Sequence, residues 1–180
     1  NLLRPQNPYA VSKIAASYLG YQYFESYGVK IVRLRPFNTE GPRRQDRYVI
    51  SNFAKQVSLI EKGLQKPVIY VGNLEAERDF VDVRDVARGY WFAAKKGKLG
   101  EVYNICTCKA WRIGEILKML ISLSTVKKIK VKNDPKRLRP LDIKVFFGDN
   151  TKFVKETGWE PKIPFEKTLK DSLNYWRKNL

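Results

Sequence analysis

Histidine is absent from all 180 residues, and that absence removes whole classes of chemistry. No Ser-His-Asp or Cys-His nucleophile can be assembled, no imidazole can serve as a general base near neutral pH, and no His-ligated zinc or haem can form. Proton transfer therefore falls to Tyr, Lys, Asp or Glu. Cysteine is scarce too, with only Cys106 and Cys108. Two thiols are too few for a metal site, and a pair separated by one residue does not easily reach disulfide geometry, so both read as small packing residues. No apolar run approaches the roughly 18 to 20 residues of a membrane helix, and Asn1-Leu2-Leu3-Arg4-Pro5 lacks the charged-then-apolar layout of a signal peptide. The expectation is a soluble, cytoplasmic protein with no membrane partner and no metal.

Acidic residues are outnumbered, 18 Asp+Glu against 35 Lys+Arg, which leaves a formal charge of +17. Such a charge invites nucleic acid, because clustered Lys and Arg release counterions from phosphate backbones. The distribution argues otherwise. Lys95, Lys96, Lys98, Lys127, Lys128, Lys130, Lys132, Lys167, Lys170, Arg177 and Lys178 are scattered along the polar sides of amphipathic segments and read as a solvated face. No nucleic-acid partner is expected. Hydrophobic residues at 43% and aromatics at 13% suffice for a core.

The chain alternates helix and strand, the pattern of an α/β domain, without internal repeats or low-complexity linkers. Asn7-Pro8 starts a helix reaching Ser26 and stopped by Gly28, and Lys30 to Pro36 reads as a buried strand closed by proline. Asn38 to Asp46 reads as a loop. Helix follows from Tyr48 to Glu61, with Ile50, Phe53, Ala54, Val57 and Ile60 on one face, and Pro67 to Gly72 is a short strand. Asp82 is placed to cap the next helix, with Asp85 in a capping-box-like position and Val86, Ala87, Tyr90, Trp91 and Ala94 as its core residues. A strand over Val102 to Cys106 precedes a helix from Ile113 to Ser124. Strands near Ile129 to Val131 and Ile143 to Phe147 lead to a last helix with Phe165, Leu169, Leu173 and Trp176 in its apolar stripe.

One segment has chemical potential on spacing alone. In Tyr9-Ala-Val-Ser-Lys13 the i and i+4 positions of a helix set phenol and ammonium side by side, and a neighbouring positive charge favours the phenolate. The same spacing also arises as an ordinary surface pair.

The segments around it narrow the reading. Pro5-Gln-Asn-Pro-Tyr9-Ala-Val-Ser-Lys13, Leu34-Arg-Pro-Phe-Asn38-Thr-Glu-Gly-Pro42 and Gly72-Asn-Leu-Glu-Ala-Glu-Arg78-Asp-Phe80-Val-Asp82-Val-Arg-Asp85 recur in that order. Gly100-Glu-Val-Tyr-Asn-Ile105, Asp134-Pro-Lys-Arg-Leu-Arg139-Pro-Leu-Asp142 and Thr157-Gly-Trp-Glu-Pro161 complete the set. Together they resemble the extended short-chain dehydrogenase/reductase family acting on nucleotide sugars, across essentially the whole chain. The wording is most similar to the GDP-mannose branch and its GDP-4-keto-6-deoxy-mannose reductases.

The resemblance implies an α/β fold: the C-terminal part of a Rossmann-like doubly wound domain over residues 1 to 38, carrying the Tyr/Lys helix. Residues 39 to 180 would form mainly a small α/β substrate-binding lobe, with some elements returning to the sheet and the ligand between the two. Tyr9 would be the catalytic proton donor and Lys13 would tune it while binding the nicotinamide ribose of NAD or NADP. Pro36 and Phe37 would lie near the nicotinamide, and Asn38 would hydrogen-bond the sugar or its phosphate. Arg78 and Arg139 would clamp the diphosphate of a GDP-linked sugar, a task suited to guanidinium forks, and Asp142 would position Arg139 or a ribose. For Arg78 a local ion pair with the adjacent Asp79 is the competing reading. Cys108 stands where relatives carry a small residue or glycine.

The family's Gly-x-x-Gly-x-x-Gly turn, its upstream catalytic Ser or Thr, and its initiator methionine are not in these residues, the only methionine being Met119. The expectation is the C-terminal portion of a longer enzyme whose N-terminal Rossmann half is its natural partner. Taken alone it would be inactive, with an open sheet edge that tends to associate, and homodimer formation through the Tyr9 helix is the other association expected. Reduction of a 4-keto sugar leads, with 4-epimerisation, 4,6-dehydration and a non-catalytic nucleotide-sugar binding module as alternatives.

Overall fold

The computed structural model describes residues 3 to 138 and 143 to 180. The first element is helix α1 (Pro8–Tyr27), whose start and stop are both encoded locally. Asn7 caps it by accepting from Ala10 N at 2.8 Å, Pro8 supplies a preset φ, and Gly28 ends it in the left-handed region at φ 65°. No residue of α1 is buried, and Tyr9, Val11, Tyr18, Leu19, Tyr21, Tyr23 and Tyr27 are all exposed.

The helix feeds strand β1 (Arg33–Pro36), which pairs in parallel with β5 (Val102–Ile105) in a two-stranded sheet. At Phe37 the chain changes sheet. Its N–H donates to Ile105 O at 2.9 Å, closing the first sheet, and β2 (Asn38–Glu40) begins at the next residue, parallel to β4 (Glu77–Asp82). Strand β6 (Ala110–Arg112) lies antiparallel to β4, and β8 (Val145–Phe146) parallel to it. A third small sheet joins β3 (Val68–Val71) and β7 (Lys130–Asn133) in parallel.

Two cores hold these sheets. In the larger, helices α2 (Val49–Glu61), α4 (Ile113–Ser122) and α6 (Phe165–Asn179) pack Ile50, Phe53, Val57, Ile116, Leu120, Leu169 and Leu173 against β3 and β4. Each such side chain contributes about 1.5 to 3 kcal/mol on leaving water. In the smaller core, Val86 and Ala93 of α3 (Val83–Lys96) meet Tyr103 and Ile105 of β5, Phe153 of α5 (Thr151–Thr157) and the fully buried Trp159.

Helix α1 falls where its start and stop signals put it, α2, α4 and α6 where the periodicity does, while four local expectations are corrected. The buried strand expected over Lys30 to Pro36 is the shorter Arg33–Pro36 with no buried residue, because β5 is its one pairing partner among the described residues. Asn38 to Glu40 is a strand rather than loop, because its backbone is claimed by β4. The inward face of α3 is Asp85, Val86, Gly89 and Ala93; Val86 is buried as expected, but Ala87, Tyr90, Trp91 and Ala94 face outward. Close approach decides this: a Cβ on Gly89 would fall 2.8 Å from Ile105 Cδ1, so the helix seats its small side against β5. Asp82 caps α3 as expected, accepting from Arg84 N at 2.8 Å, but Asp85 does not return the bond. Its Oδ2 takes Lys162 N at 2.9 Å and Ile163 N at 2.8 Å, and its Oδ1 takes the Arg88 guanidinium. Asp85 therefore secures the segment leading into α6.

Candidate active site

Tyr9 and Lys13 occupy the first turns of α1, both exposed, with Lys13 Nζ 5.3 Å from the centre of the Tyr9 ring. The i, i+4 spacing has produced the side-by-side arrangement it predicts. Pro36, exposed, and Phe37, half-buried, stand at the carboxyl end of parallel strand β1, the end at which open α/β sheets take ligands. Phe37 stacks on Phe146 with ring centres 4.9 Å apart and planes 22° apart. Asn38 is anchored by its Nδ2, which donates to Asp79 O at 2.8 Å.

Asp79 organises this region. It is fully buried, and its Oδ1 accepts from Thr107 N at 3.0 Å and Thr107 Oγ1 at 2.7 Å, while Oδ2 accepts from Gly148 N at 3.4 Å. Those bonds replace the local Arg78–Asp79 ion pair considered from sequence, since strand alternation sends neighbouring side chains to opposite faces. Arg78 is half-buried, its Nη1 donates to Glu77 O at 2.7 Å, and it lies opposite Trp111 of β6 and Phe146 of β8. Strand β4 thus brings Phe37, Asn38 and Arg78 together through Asp79 and Phe146. Tyr9 and Lys13 belong to α1, which packs on β1 of the other sheet, and they make no direct hydrogen bond or ring contact to Phe37 or Asn38 among the described residues. Arg139 and Asp142 lie outside the described residues.

Beside the start of β4 a cavity of about 470 Å³ is lined by Gly72, Asn73, Leu74, Asn133, Asp134 and Leu138, among others. Gly72 is required there, because a Cβ would lie 2.7 Å from Arg137 O. Two contributors escape sequence reasoning, Asp79 and Phe146, and so does the buried Glu40 at the end of β2. Asp79 and Phe146 act through long-range contacts that no local pattern announces. Glu40, 3% exposed, has an Oε2 with no hydrogen-bond partner among the described residues, and its one sequence signal is the i, i+2 relation to Asn38.

Parallel strands joined through helices, with a Tyr/Lys helix preceding β1, define the C-terminal architecture of a Rossmann-like short-chain dehydrogenase/reductase. The chain belongs to the family described as GDP-mannose 4,6 dehydratase, whose model matches residues 1–172. It is 34% identical over 176 residues to the GDP-6-deoxy-D-mannose reductase of Pseudomonas aeruginosa, covering 98% of this chain and 58% of that one. The solved structure of RMD from Pseudomonas aeruginosa complexed with NADPH superposes with a TM-score of 0.94 at 32% identity, over 99% of this chain and 59% of that one. The dTDP-glucose 4,6-dehydratase of Bacillus anthracis, solved in complex with NAD, gives 0.81 at 27% identity, over 99% and 54%. The chain therefore spans a little over half the length of these proteins. Among the described residues no helix is long and apolar enough to cross a membrane.

Proposed function

We propose that this chain is the C-terminal portion of an NAD(P)-dependent nucleotide-sugar oxidoreductase that reduces a GDP-linked 4-keto-6-deoxy-hexose. The observation that carries the reading is the Tyr9–Lys13 pair, with the ammonium 5.3 Å from the phenol ring and both groups open to a ligand. The 34% identity to a GDP-6-deoxy-D-mannose reductase favours reduction over the family's other reactions.

A reduced nicotinamide supplies the hydride. The described residues fit that end of the cofactor: Pro36 is exposed at the ligand end of β1, and Phe37 over Phe146 makes an apolar wall. The glycine-rich turn that binds a dinucleotide pyrophosphate is not in these residues and belongs to the N-terminal half. Tyr9 donates its phenolic proton to the sugar oxygen as the carbonyl is reduced, and Lys13 tunes the phenol and holds the nicotinamide ribose. Asn38, held by Asp79 O, orients the sugar or its phosphate. Arg78 and Arg139 bind the diphosphate, Asp142 positions Arg139 or a ribose, and the cavity at Gly72 to Leu74 takes the base. On this reading residues 1 to 38 complete the dinucleotide-binding domain and residues 39 to 180 form mainly the substrate lobe. The outer edge of β1 receives the N-terminal half, and the exposed side of α1 receives a second copy. The 180 residues alone have no turnover.

The test uses the enzyme with its N-terminal half, GDP-4-keto-6-deoxy-mannose and a reduced nicotinamide, following loss of reduced-cofactor absorbance. Tyr9→Phe is expected to lower turnover by about 10²- to 10⁴-fold, with unchanged affinity for GDP. Unaltered turnover in Tyr9→Phe would overturn the assignment of the proton donor. Inversion at C4 without net cofactor consumption would point to an epimerase, and water loss from GDP-mannose to a dehydratase. GDP affinity with no nicotinamide binding would point to a binding module.

A further inference from the structure

Strand β7 and its flanks concentrate positive charge beside the cavity at Gly72. Lys127, Lys128, Lys130, Lys132 and Lys136 fall within one stretch of ten residues, all exposed, and none has a carboxylate partner among the described residues. Strands β3 and β7 run in parallel, with Val68 beside Lys130 and Tyr70 beside Lys132. Both lead to the cavity: Gly72 follows β3, Asn133 closes β7, and both residues line it. A strand rises about 3.3 Å per residue, so Lys132 and Lys130 stand roughly 3 and 10 Å of backbone from Asn133. Lys136 directly follows Pro135, another lining residue.

The acids at the cavity do not cancel this charge. Among the described residues two carboxylates line it, and each already has an arginine. Asp134 accepts from Arg137 Nε at 3.3 Å, and Glu75 pairs with the Arg112 guanidinium. Arg137 is committed further, since its Nη1 donates to Asn52 Oδ1 at 2.8 Å. The lysines are therefore the uncompensated charges at this end of the lobe. At 0.1 M ionic strength charges act over a screening length of about 10 Å, which spans the distance from Lys130 to the lining.

We propose that Lys130, Lys132 and Lys136 steer the diphosphate of the nucleotide sugar into this cavity, raising its association rate without holding it once bound. The inference rests on the proposed nucleotide-sugar reading and adds to it three residues outside the chemistry. Ammonium groups on flexible stems attract a diphosphate from solvent, whereas an uncharged nucleoside gains nothing from them. Exposed charges of this kind act on the encounter and its salt dependence, and far less on dissociation.

The test uses the enzyme with its N-terminal half and stopped-flow binding of GDP carrying a methylanthraniloyl fluorophore, with the same fluorophore on guanosine as the uncharged comparator. For the parent, association of the GDP probe should fall about 10-fold between 0.01 M and 1 M salt, while that of the guanosine probe stays level. Lys130→Gln/Lys132→Gln/Lys136→Gln alters exposed residues only and should fold. It should slow association of the GDP probe about 10-fold at 0.01 M salt, leave dissociation unchanged, and match the parent at 1 M, where screening is nearly complete. Lys95→Gln/Lys96→Gln/Lys155→Gln removes the same charge from the exposed sides of α3 and α5 and should slow association less than about 2-fold. Equal rates for parent and variant at low salt, or an equal slowing in the α3/α5 variant, would overturn the steering role alone. A GDP probe that fails to bind the parent would overturn the nucleotide reading of the cavity and the steering with it.

Discussion

Replacing Glu40 by glutamine should remove most of the pH dependence of stability between pH 4.5 and 7. Glu40 ends β2, is 3% exposed, and leaves Oε2 without a hydrogen-bond partner among the described residues. Burial pushes its carboxyl from the ordinary 4.5 up to about 7; the Arg44 charge and the Gly41 N–H offset only part of that. Because the folded value is raised, the native state holds more protons than the unfolded chain between pH 4.5 and 7. The contribution is fully present below pH 4.5 and is lost as pH rises through 7. That rise from 4.5 to about 7 corresponds to about 3 kcal/mol. Asp82, opposite Glu40 in β4, titrates lower: burial works to raise it, but bonds from the Arg84 guanidinium, the Thr168 hydroxyl and Arg84 N hold it below the usual carboxylate range. With no histidine in the chain, the window is free of imidazole titration. The glutamine introduces a buried NH₂ group, a penalty of about 1 kcal/mol at all pH values. Urea unfolding followed by tryptophan fluorescence should therefore find Glu40→Gln slightly less stable than the parent at pH 4.5 and about 2 kcal/mol more stable at pH 8. Parallel stability curves for the two proteins across that window would refute the reasoning.

Two other predictions concern groups that tie segments together. Asp85→Ala should lower stability by about 2 to 3 kcal/mol, because the Lys162 and Ile163 N–H groups lose their shared acceptor, whereas Asp85→Asn keeps an acceptor and should lose far less; thermal midpoints distinguish them. The Arg177 guanidinium binds Glu61 through two bonds of 2.7 Å and so holds the Glu61 carboxyl below its usual range; its stabilisation is present above the ordinary glutamate value and lost as pH falls. Arg177→Gln should cost about 2 kcal/mol, discounted for the partial exposure of the arginine, and move acid unfolding to higher pH in a circular-dichroism titration.

Helices α2, α4 and α6 were legible in sequence because each presents apolar residues at helical spacing to a single core, so local pattern and tertiary packing agree. Strand β4 was hidden by its composition. Glu77-Arg-Asp-Phe-Val-Asp82 reads as a charged segment, yet Asp79 and Asp82 are buried because Thr107, Gly148, Arg84 and Thr168 satisfy their carboxylates. Arg84 is a local partner, but Thr107, Gly148 and Thr168 come from distant parts of the chain. The orientation of α3 was equally illegible, since burial there follows the small size of Gly89 and Ala93 rather than hydrophobicity. At the site, Tyr9, Lys13, Phe37 and Asn38 could be singled out by motif, but the anchoring of Asn38 on Asp79 and the Phe37–Phe146 stack required the fold.

The division between what stabilises this chain and what equips it for chemistry follows the same line. Both buried cores lie among α2 to α6 and the strands between them, and every carboxylate network just described fastens those elements to one another. Helix α1 contributes no buried residue, and Tyr9 and Lys13 sit at its exposed start. Substitutions at Tyr9 and Lys13 therefore leave the apolar core untouched, and under the proposed function a loss of turnover there would report on ligand chemistry rather than folding. Asp79 is the exception that joins the two regimes. It is fully buried, holds Thr107 and Gly148 with its carboxylate, and holds Asn38 with its carbonyl. Because the carbonyl bond is made by the backbone, removing the side chain acts on Asn38 indirectly, through the position of β4. A defect at Asp79 would consequently combine lost stability with a displaced Asn38, whereas under the proposed function one at Tyr9 would change chemistry alone.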